Sequence, residues 1–421
     1  MIAVQKPRML PTLTGVRGFA ALAVLFYHIR GGMAGYLPGP VIDGFAHGYL
    51  AVDLFFVLSG FVLWWNYGPA FVAEGTRAAP RFLVRRIARI FPLHLAILAA
   101  MALFALALLA SGRDPGPHYG FSALPAHALL VQNWGFTADL RWNDPAWSIS
   151  TEWAAYLLLA ATGGWAARLP AGRWSFPLFA LLLAAALGGW FAATGRVGIG
   201  DDIAATGLVR CLAEFFIGVA LCQWWTAQRA RADGSPVIYV TAAIFALLAA
   251  LILFADLPQP AAIPLAMAAV VIAALQASLA PRPLLSGRLA QWLGDISYAV
   301  YLSHFFLWIL FKLVLVDDPA MVAPAKVAAF VALTLAVSHL LHRWLEVPAR
   351  RIVQRGGDAL LSRLAAGQQA QTRQGGRPPA APGGGTPPPA GRLTKPAPPP
   401  RPPPPHPFPR PPAPAPPPPG P

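Results

Sequence analysis

The chain has 421 residues, of which 56% are hydrophobic and only 12% are charged, and it carries a formal net charge of +15. Soluble domains contain roughly 25% charged residues, so a water-soluble fold of this composition would have too little polar surface to cover itself. The composition therefore excludes most classes of soluble protein and predicts an all-α polytopic membrane protein. The two cysteines, Cys211 and Cys222, lie too far apart along one predicted helix to form a disulfide.

Ten apolar segments are long enough to cross a bilayer as helices, because a hydrocarbon core about 30 Å thick requires roughly 20 apolar residues. They are residues 13–30, 49–67, 90–110, 147–165, 176–194, 205–225, 237–255, 261–279, 292–316 and 322–344. Arg17 and His28 lie in the first segment and no small-residue cleavage site follows it, so we expect a retained helix rather than a signal peptide. The half-apolar patch within residues 111–146 is expected to be interfacial or re-entrant.

The loops between these segments differ in charge. One alternate set is rich in basic residues, namely Lys6, Arg8, Arg77, Arg81, Arg85, Arg86, Arg89, Arg168, Arg173, Arg229, Arg231, Arg282 and Arg288. The other set has fewer basic residues and many aspartates. Because cytoplasmic loops carry the excess of Lys and Arg, this pattern predicts ten spans with both termini in the cytoplasm.

The C-terminal region differs in composition from the rest of the chain. Residues 349–421 contain ten Lys or Arg and one acid, and the last 44 residues contain 24 of the 46 prolines. Proline lacks a backbone donor and restricts φ, so such runs favour solvated polyproline II over a packed domain. We therefore expect a membrane domain over residues 1–355 and a disordered, cytoplasmic Pro/Arg-rich tail over residues 356–421. Because residues 349–421 supply +9 of the net charge of +15, the basic composition does not indicate nucleic-acid binding.

Arg17 and His28 are ionisable residues within the first predicted span. Placing such a side chain in a bilayer costs at least a few kcal/mol, which makes each one a candidate functional residue. Eleven residues of helix complete about three turns, so both side chains project from one face, about 16 Å apart along the axis. The alternative is an arginine that reaches the headgroups and a histidine that is satisfied between helices.

Arg86 and Arg89 lie one helical turn apart, just before the third span. Residues at this spacing share a helix face, and guanidinium groups match the geometry of phosphates. The pair therefore indicates a site for a phosphate-bearing ligand. The alternative is a simple positive-inside signal.

Two carboxylates, Asp53 and Glu152, are predicted near the outer ends of the second and fourth spans. There they would lie at the depth of His28, where a carboxylate can orient an imidazole for general-base catalysis. The alternative for Glu152 is a helix cap. Arg210 and Glu214, four residues apart, are expected to form a structural buried pair.

Closely spaced pairs that include a histidine occur at two other places in the predicted spans. Tyr301 and His304 are one turn apart in the ninth span, with His304 near the middle of the bilayer. His339 and His342 have a similar spacing, but no acid or cysteine accompanies them. We therefore predict no metal site.

Five motifs in order resemble the membrane-bound acyltransferase 3 family, whose members O-acylate bacterial surface and secreted carbohydrates. They are Leu13-Thr14-Gly15-Val16-Arg17-Gly18 followed by His28, Val52-Asp53-Leu54-Phe55-Phe56-Val57-Leu58-Ser59-Gly60-Phe61, Arg86-x-x-Arg89-Ile90-x-Pro92, Trp147-Ser148-x-Ser150-x-Glu152 and Ser297-Tyr298-x-x-Tyr301-Leu302-x-His304. The resemblance covers about residues 10–350. Thr151 stands where the family usually has valine, and Glu152 is retained.

The resemblance implies an acyl-CoA donor, usually acetyl-CoA, taken from the cytoplasm, and a carbohydrate hydroxyl presented outside the bacterial inner membrane. It implies that His28 is catalytic with support from Arg17, and that Arg17, Arg86 and Arg89 contact the coenzyme. We also expect catalytic roles for Asp53 and Glu152, and contacts with the substrate for Trp147, Ser148, Tyr301 and His304. No metal is implied.

His28 has two possible roles in such a transfer. It can accept the proton of the attacking hydroxyl, or it can carry the acyl group as an acyl-imidazole, and the sequence does not decide between them. A transporter or flippase of a carbohydrate or lipid-linked substrate is a competing function. Another is a membrane-anchored scaffold whose tail recruits proline-binding partners. The charged residues are concentrated in the first four spans and no two-half repeat is visible, which favours the enzyme over the carrier.

Overall fold

The computed structural model describes residues 10–137, 139–168, 172–231 and 234–375, and within these ranges every regular element is a helix. The α-helices are α1 (Pro11–Ile29), α2 (Gly39–Ala46), α3 (Ala51–Glu74), α4 (Ala79–Ala110), α5 (Leu124–Ala128), α6 (Ala146–Ala166), α7 (Ser175–Ala193), α8 (Ile203–Arg229), α9 (Gly234–Phe254), α10 (Gln259–Ala277), α11 (Arg288–Leu315), α12 (Pro324–Leu341) and α13 (Val347–Gly375). A turn of π-helix, His342–Glu346, joins α12 to α13. The predicted all-α class is confirmed.

A long helix occupies each of the ten predicted spans: α1, α3, α4 and α6 to α12. Within the described chain, eight segments are long and apolar enough to cross a membrane. One of them, Gly39–Ala110, contains both α3 and α4, so the eight segments include nine of the ten helices. The exception is α6, whose first turns carry Ser148, Ser150 and Glu152 and are therefore less apolar. The polytopic architecture is confirmed.

Helices α1 and α11 pack in direct backbone contact through glycines. A Cβ atom on Gly18 would lie only 2.7 Å from the backbone nitrogen of Gly294, and a Cβ atom on Gly294 would collide with the carbonyl oxygen of Thr14. Further along both helices, the His28 ring contacts His304. The two helices therefore run parallel, and this close approach brings together the first and the last of the five motifs.

A second close contact joins α3 to α8. A Cβ atom on Gly60 would collide with the carbonyl oxygen of Phe215, and one on Gly218 would collide with that of Val57. Because neither glycine can be enlarged without moving a helix backbone, the two positions require glycine for the approach rather than for a turn. This contact holds the start of α3 beside the start of α8.

The segment between α4 and α6 folds into the bundle. Trp142 is fully buried, and its Nε1 donates to the carbonyl oxygen of Gly120 at 3.1 Å. Trp134 Nε1 donates to the Ser150 carbonyl oxygen on α6 at 2.9 Å. Asn143 Nδ2 donates to the Leu302 carbonyl oxygen on α11 at 3.0 Å. These bonds satisfy polar groups away from water, so the segment forms part of the packed structure beside α6 and α11.

Helix α13 extends beyond the predicted end of the membrane domain at residue 355. Asp358 on α13 forms an ion pair with Arg85 on α4, with 2.9 Å between Oδ2 and Nη2, and Gly357 lies against Val84. The helix thus continues past residue 355, and its residues Gly357 and Asp358 contact α4. The proline-rich remainder of the predicted tail lies outside the described residues.

Candidate active site

Two cavities adjoin inside the helix bundle. The polar lining of the arginine cavity comprises Arg17, Ser59, Arg86, Arg89, Ser148, Glu152, Tyr156, Ser297, Tyr298 and Tyr301. The lining of the histidine cavity includes Tyr27, His28, Arg30, Tyr49, Asp144, Trp147, Asp201, Arg210, Gln259 and Tyr301. Val52 and Tyr301 line both cavities, so these two side chains lie at the boundary between them.

The arginine cavity carries an excess of positive charge. Three arginines line it, against one carboxylate, Glu152. Arg89 forms an ion pair with Glu346, which lies outside the cavity and is 1% exposed, and it stacks 5.0 Å above the Tyr298 ring. Because the three arginines that line the cavity outnumber its one lining carboxylate, a bound anion would be stabilised there.

Arg17 and Arg86 each donate a hydrogen bond to a hydroxyl group. Arg86 Nη2 donates to the Tyr67 hydroxyl at 2.8 Å, and Arg17 Nη2 donates to Ser297 Oγ at 3.4 Å. These contacts orient the guanidinium groups without neutralising their charge. They leave further N–H donors for a ligand, since each guanidinium has five.

Hydroxyl groups surround the position where the cavities meet. The Tyr301 hydroxyl lies 2.6 Å from Ser148 Oγ and donates to the Pro145 carbonyl oxygen at 3.1 Å. The ring of Tyr301 contacts that of His304, with 6.2 Å between centroids. Tyr301 is thus held from both α6 and the preceding turn, at the boundary between the two cavities.

His28 lies on the wall of the histidine cavity. Its Nδ1 lies 2.9 Å from the Val24 carbonyl oxygen and 3.1 Å from His304 Nε2. Tyr27 and Phe305 contact the imidazole edge-on, at centroid distances of 5.0 and 5.7 Å. Because the protein contacts use Nδ1, the other ring nitrogen, Nε2, is the one left for a substrate.

The histidine cavity also contains acidic and hydroxyl groups from several elements. Tyr49 donates its hydroxyl proton to Gln259 Oε1 at 3.1 Å. Asp144 lies just before α6, with Oδ1 3.6 Å from His118 Nε2. Burial raises the pKa of Asp144, and the nearby His118 opposes this rise. Its wall therefore offers both acceptors and donors to a polyhydroxylated ligand.

Asp53 lies against Arg210 rather than His28. Arg210 donates two hydrogen bonds of 2.6 Å to the Asp53 carboxylate, from Nε to Oδ1 and from Nη2 to Oδ2. Both side chains are almost fully buried. Arg210 also lies over the Trp147 ring at 5.4 Å. The expected pair between Arg210 and Glu214 is wrong, because Arg210 pairs with Asp53 across the glycine contact of α3 with α8. Asp53 therefore orients the Arg210 side chain, which lines the histidine cavity.

The predicted substrate residues are divided between the cavities. Trp147 lines the histidine cavity, whereas its neighbour Ser148 lines the arginine cavity. Glu152, expected at the depth of His28, lines the arginine cavity instead. It lies more than one turn further along α6 than Trp147, which carries it away from the histidine cavity.

Sequence reasoning missed several polar residues of the histidine cavity. They are Arg30, Tyr49, Asp144, Asp201 and Gln259. Most of them lie in loops or at helix ends, outside the apolar spans in which a charge is conspicuous. Asp144 and Asp201 belong to the set of loops that is rich in aspartates, and that accumulation of acids is the signal that the sequence offers.

Comparisons with known proteins identify the family. A sequence model of the acyltransferase 3 family, described as an acyltransferase domain, matches residues 10–343. "Acyltransferase MdmB" of Streptomyces mycarofaciens is 38% identical over 156 residues, which cover 35% of this chain and 38% of MdmB. "Protein 2 in picA locus" of Rhizobium radiobacter is 35% identical over 178 residues, or 38% of this chain and 85% of that protein.

"Putative peptidoglycan O-acetyltransferase YrhL" of Bacillus subtilis (strain 168) is 26% identical over 341 residues, which cover 72% of this chain and 49% of YrhL. The alignments thus span under two fifths of MdmB and about half of YrhL. No solved structure matches the chain significantly. The family match includes all five motifs and both cavities, and the chain therefore belongs to the acyltransferase 3 family.

Proposed function

We propose that this protein is a membrane O-acyltransferase that moves an acyl group from cytoplasmic acyl-CoA to a hydroxyl of an extracytoplasmic carbohydrate or glycoconjugate. The arginine cavity holds the donor and the histidine cavity holds the acceptor. The observation that carries the proposal is the meeting of a cavity rich in arginine with a cavity that contains His28, at Val52 and Tyr301.

The charge of the arginine cavity supports an acyl-CoA donor, of which acetyl-CoA is the first to test. The phosphates of coenzyme A would be bound by Arg17, Arg86 and Arg89, because guanidinium groups bind phosphate through paired N–H donors. Its narrow pantetheine arm would then extend between the helices and present the thioester near Tyr301. The basic loops at this end of the bundle support a cytoplasmic position for the donor.

The histidine cavity supports a carbohydrate acceptor. Its acids and hydroxyls can bind sugar hydroxyl groups, and the Trp147 ring offers a surface on which a sugar can stack. The name of YrhL refers to O-acetylation of peptidoglycan. A cell-envelope glycan is therefore the acceptor class that we propose for this chain.

His28 acts as the general base in this proposal. Its Nε2 accepts the proton of the acceptor hydroxyl while the hydroxyl oxygen attacks the thioester carbonyl carbon. The carbon–sulfur bond then breaks, and the thiolate of coenzyme A leaves and takes the proton from the imidazolium. The products are the acyl ester and free coenzyme A. An acyl-imidazole on Nε2 is the alternative route to the same products.

Replacement of His28 by alanine tests the assignment. Purified protein in detergent, with no ion gradient, would be given acetyl-CoA and cell-envelope polysaccharide, and release of free coenzyme A thiol would be followed. We expect His28→Ala to lower the turnover by about 10²- to 10⁴-fold, the usual contribution of a general base, while the Kd for acetyl-CoA stays unchanged.

His47→Ala is the matched control, because His47 makes the same contact to the carbonyl oxygen four residues earlier but is exposed. Near-normal turnover in His28→Ala would remove this residue from the mechanism. Wild-type protein that binds acetyl-CoA without transferring its acyl group would instead favour a carrier.

A further inference from the structure

Two imidazoles and two backbone carbonyls form a hydrogen-bonded row between α1 and α11. His304 Nδ1 lies 2.9 Å from the Val300 carbonyl oxygen, and His304 Nε2 lies 3.1 Å from His28 Nδ1. His28 Nδ1 lies 2.9 Å from the Val24 carbonyl oxygen. His304 is fully buried. The two rings meet because α1 and α11 pack side by side in the same direction.

The partners in this row determine which nitrogens carry protons. A carbonyl oxygen only accepts, so Nδ1 of a neutral His304 must carry the hydrogen and its Nε2 must be a lone pair. His28 Nδ1 then faces two acceptors, this lone pair and the Val24 carbonyl oxygen, and must itself carry a hydrogen. Reversing both tautomers would set a lone pair against each carbonyl oxygen. The network therefore leaves the lone pair of neutral His28 on Nε2.

We propose that His304 is a positioning residue that holds His28 in the tautomer protonated on Nδ1, so that Nε2 can accept the proton of the acceptor hydroxyl. This inference rests on the proposed function of His28 as the base. It replaces the expectation, drawn from the sequence, that His304 contacts the substrate. His304 acts through His28 and does not touch the reacting atoms.

A neutral imidazole suits this buried position. In catalytic triads a carboxylate accepts from Nδ1 of the base, but an additional buried charge costs several kcal/mol unless it is well paired. Asp53 is unavailable because Arg210 holds it. When Nε2 of His28 gains a proton, the bond from its Nδ1 to His304 becomes charge-assisted and shortens. His304 thus stabilises the transient imidazolium without a permanent charge.

Three substitutions of His304 separate its possible roles. His304→Gln keeps an acceptor at about the position of Nε2, so it preserves the bond to His28. His304→Asn keeps a donor toward the Val300 carbonyl oxygen but is too short to reach His28. His304→Leu removes both. His94→Leu is the control for loss of a buried histidine, because His94 bonds the backbone oxygen of His127 and lies outside the row.

Nitrogen-15 NMR of the full-length protein, labelled in its histidine rings, reports the tautomer directly. The His28 signals are assigned by their loss in His28→Ala. We expect a protonated Nδ1 and an unprotonated Nε2 in the wild type, in His304→Gln and in His94→Leu. In His304→Leu and His304→Asn, we expect the tautomer protonated on Nε2 to become populated. A wild-type His28 protonated on Nε2, or unchanged signals in His304→Leu, would overturn the inference.

Turnover provides the second measurement. We expect His304→Leu and His304→Asn to lower kcat by about 10- to 100-fold, as for other residues that orient a functional histidine, with no change in the KM for acetyl-CoA. His304→Gln should restore most of the rate. Normal activity in His28→Ala would refute the proposed base and leave the NMR result intact. Loss of activity in His28→Ala with a normal rate in His304→Leu would refute only the role of His304.

Discussion

The two cavities differ in how their charges are balanced. In the arginine cavity, three guanidinium groups face one carboxylate and several hydroxyls. In the histidine cavity, Arg210 is neutralised by Asp53, and Arg30 is accompanied by Asp144 and Asp201. The first environment favours a polyanion, whereas the second favours a neutral ligand with many hydroxyl groups. The contrast matches the proposed donor and acceptor, one highly charged and the other a glycan.

The difference shows how one bundle can bind two unlike substrates. Two glycine contacts position the side chains that line the cavities: α1 packs on α11 and carries Arg17 in the arginine cavity and His28 in the histidine cavity, and α3 packs on α8, which carries Arg210 of the histidine cavity. The boundary consists of Val52, on α3, and Tyr301, on α11. A change at this boundary should therefore stop transfer while leaving binding in each cavity intact.

The largest effect is expected from closing the boundary. Val52→Trp would fill the space between the cavities, and we expect turnover to fall at least about 100-fold, because displacing reactants by about 1 Å can have that effect. The Kd for acetyl-CoA should change little. Coenzyme A thiol release and isothermal titration measure the two quantities.

Val62→Trp is the comparison variant, because Val62 lines only the arginine cavity. It should weaken acetyl-CoA binding rather than block the meeting of the substrates. Overpacking costs about 1–3 kcal/mol, so the thermal midpoint of each variant would be measured as well. Full turnover in a folded Val52→Trp protein would show that the substrates do not meet there.

An intermediate effect is expected from reducing the charge of the arginine cavity. Arg86→Gln should raise the Kd for acetyl-CoA about 10- to 100-fold, since a hydrogen bond to a charged group contributes about 1.5–3 kcal/mol. Arg85→Gln is the control one residue away, because Arg85 pairs with Asp358 and does not line the cavity. An equal Kd for acetyl-CoA in the two variants would show that Arg86 does not bind the donor and contributes only to the positive charge of the cytoplasmic side.

The smallest effect is expected in the histidine cavity, from Asp144. Burial raises the pKa of this carboxyl, so its charge is lost at a higher pH than for an exposed aspartate as the solution is acidified. We expect the KM for the polysaccharide acceptor to rise several-fold toward acidic pH, because the neutral acid is a weaker acceptor for sugar hydroxyls.

Asp144→Asn should give, at every pH between 4 and 7.5, the raised KM for the polysaccharide that the wild type shows only at acidic pH. KM measured between pH 4 and 7.5 for both proteins tests this expectation. If the acidic rise persists in Asp144→Asn, another group controls acceptor binding. An unchanged KM in both proteins would place the acceptor away from Asp144.

Much of the bundle could be predicted because hydrophobic length alone identifies a bilayer span. All ten predicted spans contain a long helix, although α6 is too polar in its first turns to qualify by composition. The contact between α13 and α4 was less predictable. Residues 356–375 have no long apolar run, and they are helical next to the ion pair of Asp358 with Arg85, a contact with a residue far away in the sequence.

The partners of the charged residues could not be predicted from local spacing. Arg210 and Glu214 share a helix face at four residues apart, yet Arg210 pairs with Asp53 on another helix. Likewise, Glu152 and Trp147 belong to one motif but line different cavities. Spacing along one helix specifies direction and depth, but the partner depends on how that helix is rotated against its neighbours.

The sequence by itself determined the helical membrane class, the positions of the spans and the set of intramembrane charges, because each follows from the cost of placing polar groups in hydrocarbon. It also determined that Arg17 and His28 share one face of α1, since helical periodicity is local. Only the tertiary structure decided that His28 meets His304 rather than a carboxylate, and that Val52 and Tyr301 line both cavities. These features depend on glycine contacts between helices distant in sequence, and helix periodicity contains no information about which backbones approach each other.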